Sequence, residues 1–362
     1  MTPQTTPAEA SPSARIRPGT PVLERGDGCV QLGTDPRWAI VLEGLSAAES
    51  AWLREAAGRR HRSLQDAARR HRVSDARRRE IAGLLVSCGY LVEPSSAAEV
   101  TSPALGAADV AVLGALRPDG AGYATLRQRA RRTVGISGLG RIGSTVALHL
   151  ATAGVGTLVL GDRRPVQVTD LGLAAYRQVD VGRPRERALC DVLGERNPRT
   201  VASLELAAEV TPDVVVMVEA HAADPQRQER LMGSGIAHLP VAVREADVSV
   251  GPLVLPGRTP CVRCCDLHAA DVDDAWPRLA AQLREAHADV GVPEETTLAA
   301  LAAATATGQV LAQLDGARPL AAGAVIEIAL PEALPRVRAV RPHPGCGCSA
   351  LPDRRSPVAG LR

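Results

Sequence analysis

The sequence predicts an α/β fold class: a doubly wound, mostly parallel, Rossmann-like sheet preceded by a small winged-helix α+β domain. Three observations support this prediction. From Thr133 onward, short β-branched runs alternate with helical stretches, as in a parallel sheet whose two faces are covered. The motif GLGRIG, residues 138–143, lies between such a run and a helical pattern. Before residue 95, three short apolar runs precede three helical patterns, which is typical of a winged helix.

Changes in composition along the 362 residues divide the chain into two domains and their flanking segments. A start rich in Pro, Ser, Thr and Ala predicts a disordered tail. A Pro/Ser/Ala-rich stretch after the third helical pattern predicts a linker. The predicted segments are 1–18 for the disordered tail, 19–95 for the winged-helix domain, 96–125 for the linker, 126–350 for the α/β domain and 351–362 for a flexible C-terminal tail.

Local patterns predict the elements of the N-terminal domain. The runs PVLER, CVQLG and WAIVLEGL predict a small antiparallel sheet. SAAESAWLREAAG opens with the serine and glutamate spacing of a capping box, SLQDAARRH predicts a short second helix, and SDARRREIAGLLVSCGYLVEP predicts a third helix that ends at Gly89. The arginine runs RRHR and ARRRE suit either a DNA-binding helix or a solvated face. A net charge of only +2 favours the solvated face, so neither nucleic acid nor a membrane is expected as a partner.

All 42 basic residues are arginine, because the chain contains no lysine. Schiff-base chemistry and a Walker-type phosphate lysine are therefore excluded. The start lacks an apolar run of signal-peptide length, and no segment has the roughly 18 uninterrupted apolar residues of a membrane span. These features predict a cytoplasmic protein, in which cysteines serve as metal ligands or core residues more often than as disulfides. Cys29, Cys88 and Cys190 lie in apolar runs and are predicted to be core residues.

The motif GLGRIG alone leaves three alternatives open: NAD, ATP or no ligand. A dehydrogenase would also need a His or Lys acid/base in a second domain, and the sequence shows no such constellation. The wider stretch resembles the ThiF/MoeB superfamily, the bacterial relatives of ubiquitin-activating enzymes. The residues that carry this resemblance are the AGVG turn at 153–156, Asp162, the segment 168–171, the Gly182 turn and the pair 197–198.

The resemblance implies a ThiF-like α/β domain whose catalytic members bind ATP and adenylate the C-terminal carboxylate of a carrier protein. Gly138, Gly140 and Gly143 match the glycines of the family, and Asp162 matches the acidic residue that holds the ribose hydroxyls. These four residues are therefore the predicted cofactor-binding set, with ATP as the candidate cofactor.

The positions that carry chemistry depart from the family pattern. Arg141 occupies a glycine position, where a side chain crowds the approach of phosphates to the backbone. Leu173 replaces the phosphate-clamping arginine, and Gly-Arg-Pro-Arg at 182–185 replaces Gly-x-x-Lys. The magnesium-binding aspartate is missing, with only Glu219 or the more distant Asp224 nearby. Since phosphoryl chemistry depends on positioned charge, we predict the fold without adenylation and no catalytic residue.

Two close cysteine pairs predict a metal site. Cys261 and Cys264 form one pair, and Cys346 and Cys348 form the other, about 80 residues later. Four thiolates complete a tetrahedral, structural zinc site, and related activating-enzyme folds carry structural zinc between paired cysteines. The second pair is Cys-x-Cys where the family norm is Cys-x-x-Cys. This departure leaves two alternative ligands, Cys265 and His343.

A narrower resemblance rests on the segments PCVRCCDLHAADVDDAWP, HPGCGC and GRPR and on the predicted N-terminal winged-helix domain. These features resemble the actinobacterial leader-peptide-binding partner of YcaO cyclodehydratases, in thiazole/oxazole-modified peptide biosynthesis. The resemblance implies a non-catalytic scaffold, a YcaO-type partner enzyme, a precursor leader peptide and a homodimer. An active ThiF-type adenylyltransferase is the alternative.

The implied mode of peptide capture is strand addition to an exposed edge within CVQLG or WAIVLEGL. The leader would lie beside the predicted helix Asp75–Tyr90. Arg77, Arg78 and Arg79 could attract an acidic leader, although a solvated arginine face is an equal alternative.

Overall fold

The computed structural model describes residues 11, 13–17, 19–58, 63–92, 107–117, 120–173, 175–204, 211–286 and 292–350. Contacts between Cα atoms divide the chain into two compact units, Met1–Leu126 and Arg127–Arg362. The predicted C-terminal tail, most of the predicted N-terminal tail and the first part of the predicted linker lie outside the described residues.

The N-terminal unit combines two small antiparallel sheets with a group of helices. Strands β2, β3 and β4 form a three-stranded sheet in that order, and β1 pairs with β5. The elements are β1 (Arg15–Ile16), β2 (Val22–Gly26), β3 (Cys29–Leu32), β4 (Ile40–Leu42), α1 (Ala47–Ala56), α2 (Leu64–Arg70), α3 (Asp75–Ser87), β5 (Leu91–Val92) and α4 (Ala107–Ala115), followed by α5 (Gly122–Arg129), which leads into the second unit.

Local sequence signals account for the ends of these helices. The capping box predicted for α1 is confirmed: the Ser46 hydroxyl accepts from the amide of Glu49, and the Glu49 carboxylate accepts from the amide of Ser46. The chain leaves α3 through Gly89, as predicted, in a left-handed conformation that glycine adopts without strain. Trp52 is fully buried and donates its indole N–H to the carbonyl of Leu64 at 2.9 Å, which ties α1 to the start of α2.

Three predictions for this unit require correction. Arg15 and Ile16 belong to β1 although they lie in the predicted tail, because their ladder with β5 buries Ile16. The predicted linker 96–125 contains α4 and the start of α5. Cys88, predicted to be a core residue, is exposed at the C-terminus of α3.

The C-terminal unit alternates strands and helices around one large sheet. Its elements are β6 (Thr133–Ser137), α6 (Arg141–Thr152), β7 (Thr157–Gly161), α7 (Arg185–Arg196), β8 (Val201–Ser203), β9 (Val214–Ala220), α8 (Pro225–Gly233), β10 (Ala237–Val243), β11 (Asp247–Val250), α9 (Val262–Ala270), α10 (Trp276–Ala286), α11 (Thr296–Leu314), β12 (Ala324–Ala329) and β13 (Arg336–Ala339).

The order of the described strands in this sheet is β13-β12-β11-β10-β9-β6-β7-β8. Strands β10, β9, β6, β7 and β8 are parallel, and β11, β12 and β13 are antiparallel additions. The predicted doubly wound, mostly parallel sheet is therefore confirmed. The chain reverses its direction of winding between β6 and β9, and open α/β sheets bind ligands beyond the carboxyl ends of strands at such a point.

The helix α11 is long and apolar enough to cross a membrane by length and composition. It packs instead against α6 and the sheet, with Leu298, Ala302, Ala306 and Val310 buried in the core. Burial inside the α/β unit explains its apolar character.

Candidate functional site

A cavity beside the predicted site lies beyond the carboxyl ends of β6, β7 and β9. It has a volume of about 1320 Å³. Gly138 follows β6, Asp162 follows β7, and Glu219 is the penultimate residue of β9; all three line this cavity. The sheet topology therefore brings together residues that are far apart in the sequence.

Close packing explains two glycines of the GLGRIG loop. Gly138 has φ of +78°, and a Cβ atom there would collide with the carbonyl oxygen of Val218 on β9. A Cβ atom on Gly143 would collide with the carbonyl oxygen of Gly138, so this glycine lets α6 approach the loop.

The loop directs its backbone N–H groups at protein acceptors. Leu139 donates to Oδ2 of Asp162 at 2.8 Å, and Gly138 donates to the carbonyl of Gly161 at 3.4 Å. Ile142, in the first turn of α6, donates to Oε2 of Glu294 at 2.6 Å. These groups would face a nucleotide in a phosphate-binding loop.

Asp162 is buried and bound on both oxygens. Arg164 donates to Oδ1 and Oδ2, each at 2.9 Å, and Arg185 donates to Oδ2 at 3.1 Å. Burial alone would raise the pKa of this carboxyl, but its hydrogen bonds and the two guanidinium groups lower the pKa to about 2. Asp162 is therefore charged and already paired where a ribose would have to compete for it.

Arg185 is buried at the position of the family lysine. Its guanidinium makes a bidentate pair with Asp170, with distances of 2.8 Å and 2.7 Å, in addition to the bond with Asp162. Two parallel N–H donors are the geometry that arginine provides and lysine does not. Arg185 is thus fixed by carboxylates of its own chain.

Glu294 is a site residue that the sequence patterns did not indicate. Its backbone carbonyl accepts from Nη1 of Arg141 at 2.9 Å, and the same nitrogen donates to Oγ1 of Thr296 at 3.3 Å. Arg141, predicted to crowd the loop, therefore holds the segment before α11 against it. Its partners lie more than 150 residues away in the sequence, so no local signal could have revealed the contact.

The two candidate metal carboxylates have different surroundings. Glu219 is the more buried residue, and its Oε2 accepts from the amide of Asp224 at 3.2 Å. Burial raises the pKa of Glu219 to about 7. Asp224 caps α8 by accepting from the amide of Gln226 at 2.9 Å. Within the described residues, neither carboxylate belongs to a group of three or more potential metal ligands.

Two further residues that differ from the family pattern, Leu173 and Arg183, also make contacts within the α/β unit. Leu173 packs against the core of the α/β unit, where an arginine would clamp phosphates. Arg183 pairs with the buried Asp180 at 2.9 Å and with Asp191. Arg183 is thus paired with two carboxylates of its own chain.

ATP, the cofactor that the fold family implies, does not fit the glycine loop in this arrangement. The Glu294 carboxylate already accepts from the amide of Ile142 in the first turn of α6, and Asp162 is paired with two arginines. The cleft directly in front of Gly140 and Arg141 has a volume of about 150 Å³ and shares Gly138 and Glu219 with the larger cavity.

The four predicted cysteines form one buried cluster. The Sγ atoms of Cys261 and Cys346 are 3.6 Å apart, and those of Cys264 and Cys348 are 3.4 Å apart. All four sulfurs lie within 4.8 Å of one another. Sulfurs about 2.3 Å from one tetrahedral ion would be separated by roughly 3.8 Å, so this cluster could hold a metal ion. The separations are far larger than the roughly 2.05 Å of a disulfide.

The surroundings of the cluster also account for the two alternative ligands. The amide of His343 donates to Sγ of Cys264 at 3.4 Å, while the imidazole Nε2 of His343 contacts Oδ2 of Asp271 at 2.9 Å. Cys265 is outside the cluster, and burial raises its pKa to about 12. The Cys-x-Cys pair therefore supplies two sulfurs despite its shorter spacing.

In the N-terminal unit, the three-stranded sheet has two edges with different surroundings. Strand β2 packs against α1, and Glu24 pairs with Arg54 at 3.0 Å. Beyond β4, Arg77 of α3 reaches across to the carbonyl of Gly44 at 3.0 Å. Leu84, seven residues further along α3, lies on the same face of the helix as Arg77 and is exposed.

The three arginines predicted to attract an acidic peptide make contacts within this unit. Arg77 pairs with Glu49 at 2.8 Å and with Glu80 at 2.9 Å. Arg78 and Arg79 contact Asp75 at the start of α3. These contacts favour the alternative of a solvated arginine face that stabilises α3.

Comparisons with solved structures identify similar folds. E. coli MccB with AMPCPP and MccA has a TM-score of 0.71 and 16% identity, and the match covers 93% of this chain and 99% of that chain. The microcin C7 biosynthetic enzyme MccB with N-formylated MccA has a TM-score of 0.68, 16% identity and the same coverage. PaaA has a TM-score of 0.60 and 18% identity, and the match covers 78% of this chain and 97% of that chain.

A search of functionally curated proteins gives no match. The ThiF family, in contrast, matches residues 116–348, which include the glycine loop, the parallel strands and the cysteine cluster. This match extends over more than half of the sequence. The chain therefore belongs to the ThiF family.

Proposed function

We propose that this protein is a non-catalytic recognition scaffold that binds the leader of a ribosomal precursor peptide. It presents the peptide to a YcaO cyclodehydratase, which forms the azolines or azoles. The observation that carries the non-catalytic part is the internally paired glycine loop. Asp162 is bound by Arg164 and Arg185, and the amide of Ile142 is bound by Glu294.

The edge of β4 supports the peptide-binding part. An extended peptide can add to a free strand edge through main-chain hydrogen bonds, with selectivity from side chains beside it. Leu84 is 48% exposed on the face of α3 that reaches toward Gly44, and it offers an apolar contact to such a peptide. The likeness to MccB supports a peptide partner, since the structure of that enzyme was determined in complex with N-formylated MccA.

The cysteine cluster supports a structural zinc ion. Four cysteines leave no open coordination position for a substrate. The ion would join the N-terminus of α9 to the segment that follows β13. A cytoplasmic location, a homodimer and the winged-helix character of the N-terminal unit belong to the same proposal.

A direct test measures fluorescence anisotropy of labelled leader peptides with the full chain. The peptides are those of short Cys/Ser/Thr-rich precursors encoded beside the gene. We expect saturable binding, and at least about tenfold weaker binding by Leu84→Arg, which corresponds to about 1.4 kcal/mol. Leu23→Arg is the matched control, because Leu23 is similarly exposed but lies on β2. Equal affinities of the two variants would place the peptide elsewhere.

The second candidate is an active adenylyltransferase of the ThiF type. The large cavity beside Asp162 and Glu219 favours it, because the cavity has room for a nucleoside. ATP-dependent exchange of pyrophosphate distinguishes this candidate from the scaffold.

A further inference from the structure

The N-terminus of α6 contacts a carboxylate from the other side of the fold. Glu294 lies two residues before α11, and its Oε2 accepts from the amide of Ile142 at 2.6 Å. A Cβ atom placed on Gly140 would lie 2.5 Å from Oε1 of Glu294. The carboxylate is thus in close contact with the loop through both oxygens.

This position has the properties of a phosphate site. The first N–H groups of a helix have no partner within the helix, and the helix dipole favours negative charge there. Glycines in the preceding loop allow an anion to come close to the backbone. The carboxylate of Glu294 satisfies these requirements as a phosphate oxygen would.

Rigid elements hold Glu294 in this position. Arg141 donates to its backbone carbonyl at 2.9 Å, and Glu295 begins α11 by accepting from the amide of Leu298 at 2.8 Å. The helix α11 itself packs along α6. The side chain is therefore anchored at the end of a helix rather than on an independent loop.

We propose that Glu294 is an internal anion that occupies the phosphate position of the glycine loop and keeps nucleotide phosphates out of it. A phosphate would have to displace the carboxylate, because two anions cannot share the amide of Ile142. Burial and the neighbouring Asp170 raise the pKa of Glu294 to about 7, while Arg185 and Arg141 oppose this rise, so the carboxylate is fully charged only above that pH and the exclusion of phosphates is strongest there. This inference deepens the proposed function, on which it rests for the absence of nucleotide chemistry.

The test uses calorimetry with inorganic pyrophosphate and the full chain. Pyrophosphate carries phosphates without a ribose, so the pairing of Asp162 does not affect the result. We expect Glu294→Ala to bind pyrophosphate at least tenfold more tightly than the wild type. Glu332→Ala, which changes an exposed glutamate of the same unit, should match the wild type. Equal affinities of all three proteins would overturn the proposal.

A second measurement needs no variant. The amide of Ile142 lies in the first turn of α6, where exchange with solvent is ordinarily fast. We expect hydrogen exchange of the unliganded wild type to show protection at Ile142. Rapid exchange there would overturn the proposal even if Glu294→Ala did not fold. Neither sample contains a leader peptide. A failure of leader binding can therefore be distinguished from a failure of this inference.

Discussion

At the scale of single residues, paired charges lie beside the glycine loop. Arg185 connects Asp162 and Asp170, which lie on separate segments beside the glycine loop. The side chains of all three are at most 8% exposed. A buried charge is stable only while its partners remain, so each member of this group depends on the others.

Removing the central guanidinium should therefore destabilise the fold. We expect Arg185→Ala to lower the free energy of unfolding by about 3–5 kcal/mol, because the buried Asp170 loses its bidentate arginine and Asp162 keeps only Arg164. Arg187→Ala on the same helix should change it by less than about 0.5 kcal/mol, since Arg187 is exposed. Urea denaturation measures both, and similar losses in the two variants would contradict this account.

Glu219 predicts a pH dependence of stability. Its pKa rises from an ordinary value of 4.5 to about 7 on folding, because burial disfavours the charged carboxylate; the charge of Asp224 adds to this rise, and Arg227 and Arg284 oppose it. The native state thus binds more protons than the unfolded state between these values, and the unfolding free energy falls as pH rises from about 4.5 to about 7.

Substitution of Glu219 should reduce this decrease in the free energy of unfolding. In urea titrations, Glu219→Gln should lose less stability than the wild type between pH 4.5 and pH 7. Glu294 contributes with the same sign, since its pKa is also raised to about 7, so part of the fall should persist. An unchanged pH profile of Glu219→Gln would refute the burial of an ionisable Glu219.

At the scale of elements, the sequence predicted the features that depend only on residues close to one another in the chain. The capping box of α1 and the glycine after α3 are short-range features, and both are confirmed. The helix α4 was not predicted, because it has only nine residues and directly follows the Pro/Ser/Ala-rich stretch. The bond between Ile142 and Glu294 joins residues 152 positions apart and required the tertiary structure.

The cysteine cluster yields a prediction for the C-terminal end of the α/β unit. Purified protein should contain one zinc ion per chain by elemental analysis, and Cys261→Ser or Cys346→Ser should lose it. Cys265→Ser is the matched control, because Cys265 adjoins Cys264 but lies outside the cluster. Undiminished zinc in the Cys261 and Cys346 variants would refute the four-cysteine site.

At the scale of the whole molecule, the chain has the ThiF fold, with carboxylate–arginine pairs beside its glycine loop. The sequence was sufficient to predict the family and the doubly wound sheet. The replacement of the family arginine by Leu173 remains the basis for the predicted loss of a phosphate ligand. The sequence could not indicate the contacts that Arg164, Arg185 and Glu294 make beside the glycine loop. These contacts form only when the segments after β7, before α7 and before α11 meet in the tertiary structure.

The most direct test of the non-catalytic scaffold is ATP–pyrophosphate exchange by the full chain in the presence of saturating precursor peptide. An adenylating enzyme incorporates labelled pyrophosphate into ATP when its acyl acceptor is present. We predict exchange at the background rate, in a sample where anisotropy shows the leader to be bound. Exchange above background that depends on the peptide would contradict the scaffold and establish an active adenylyltransferase.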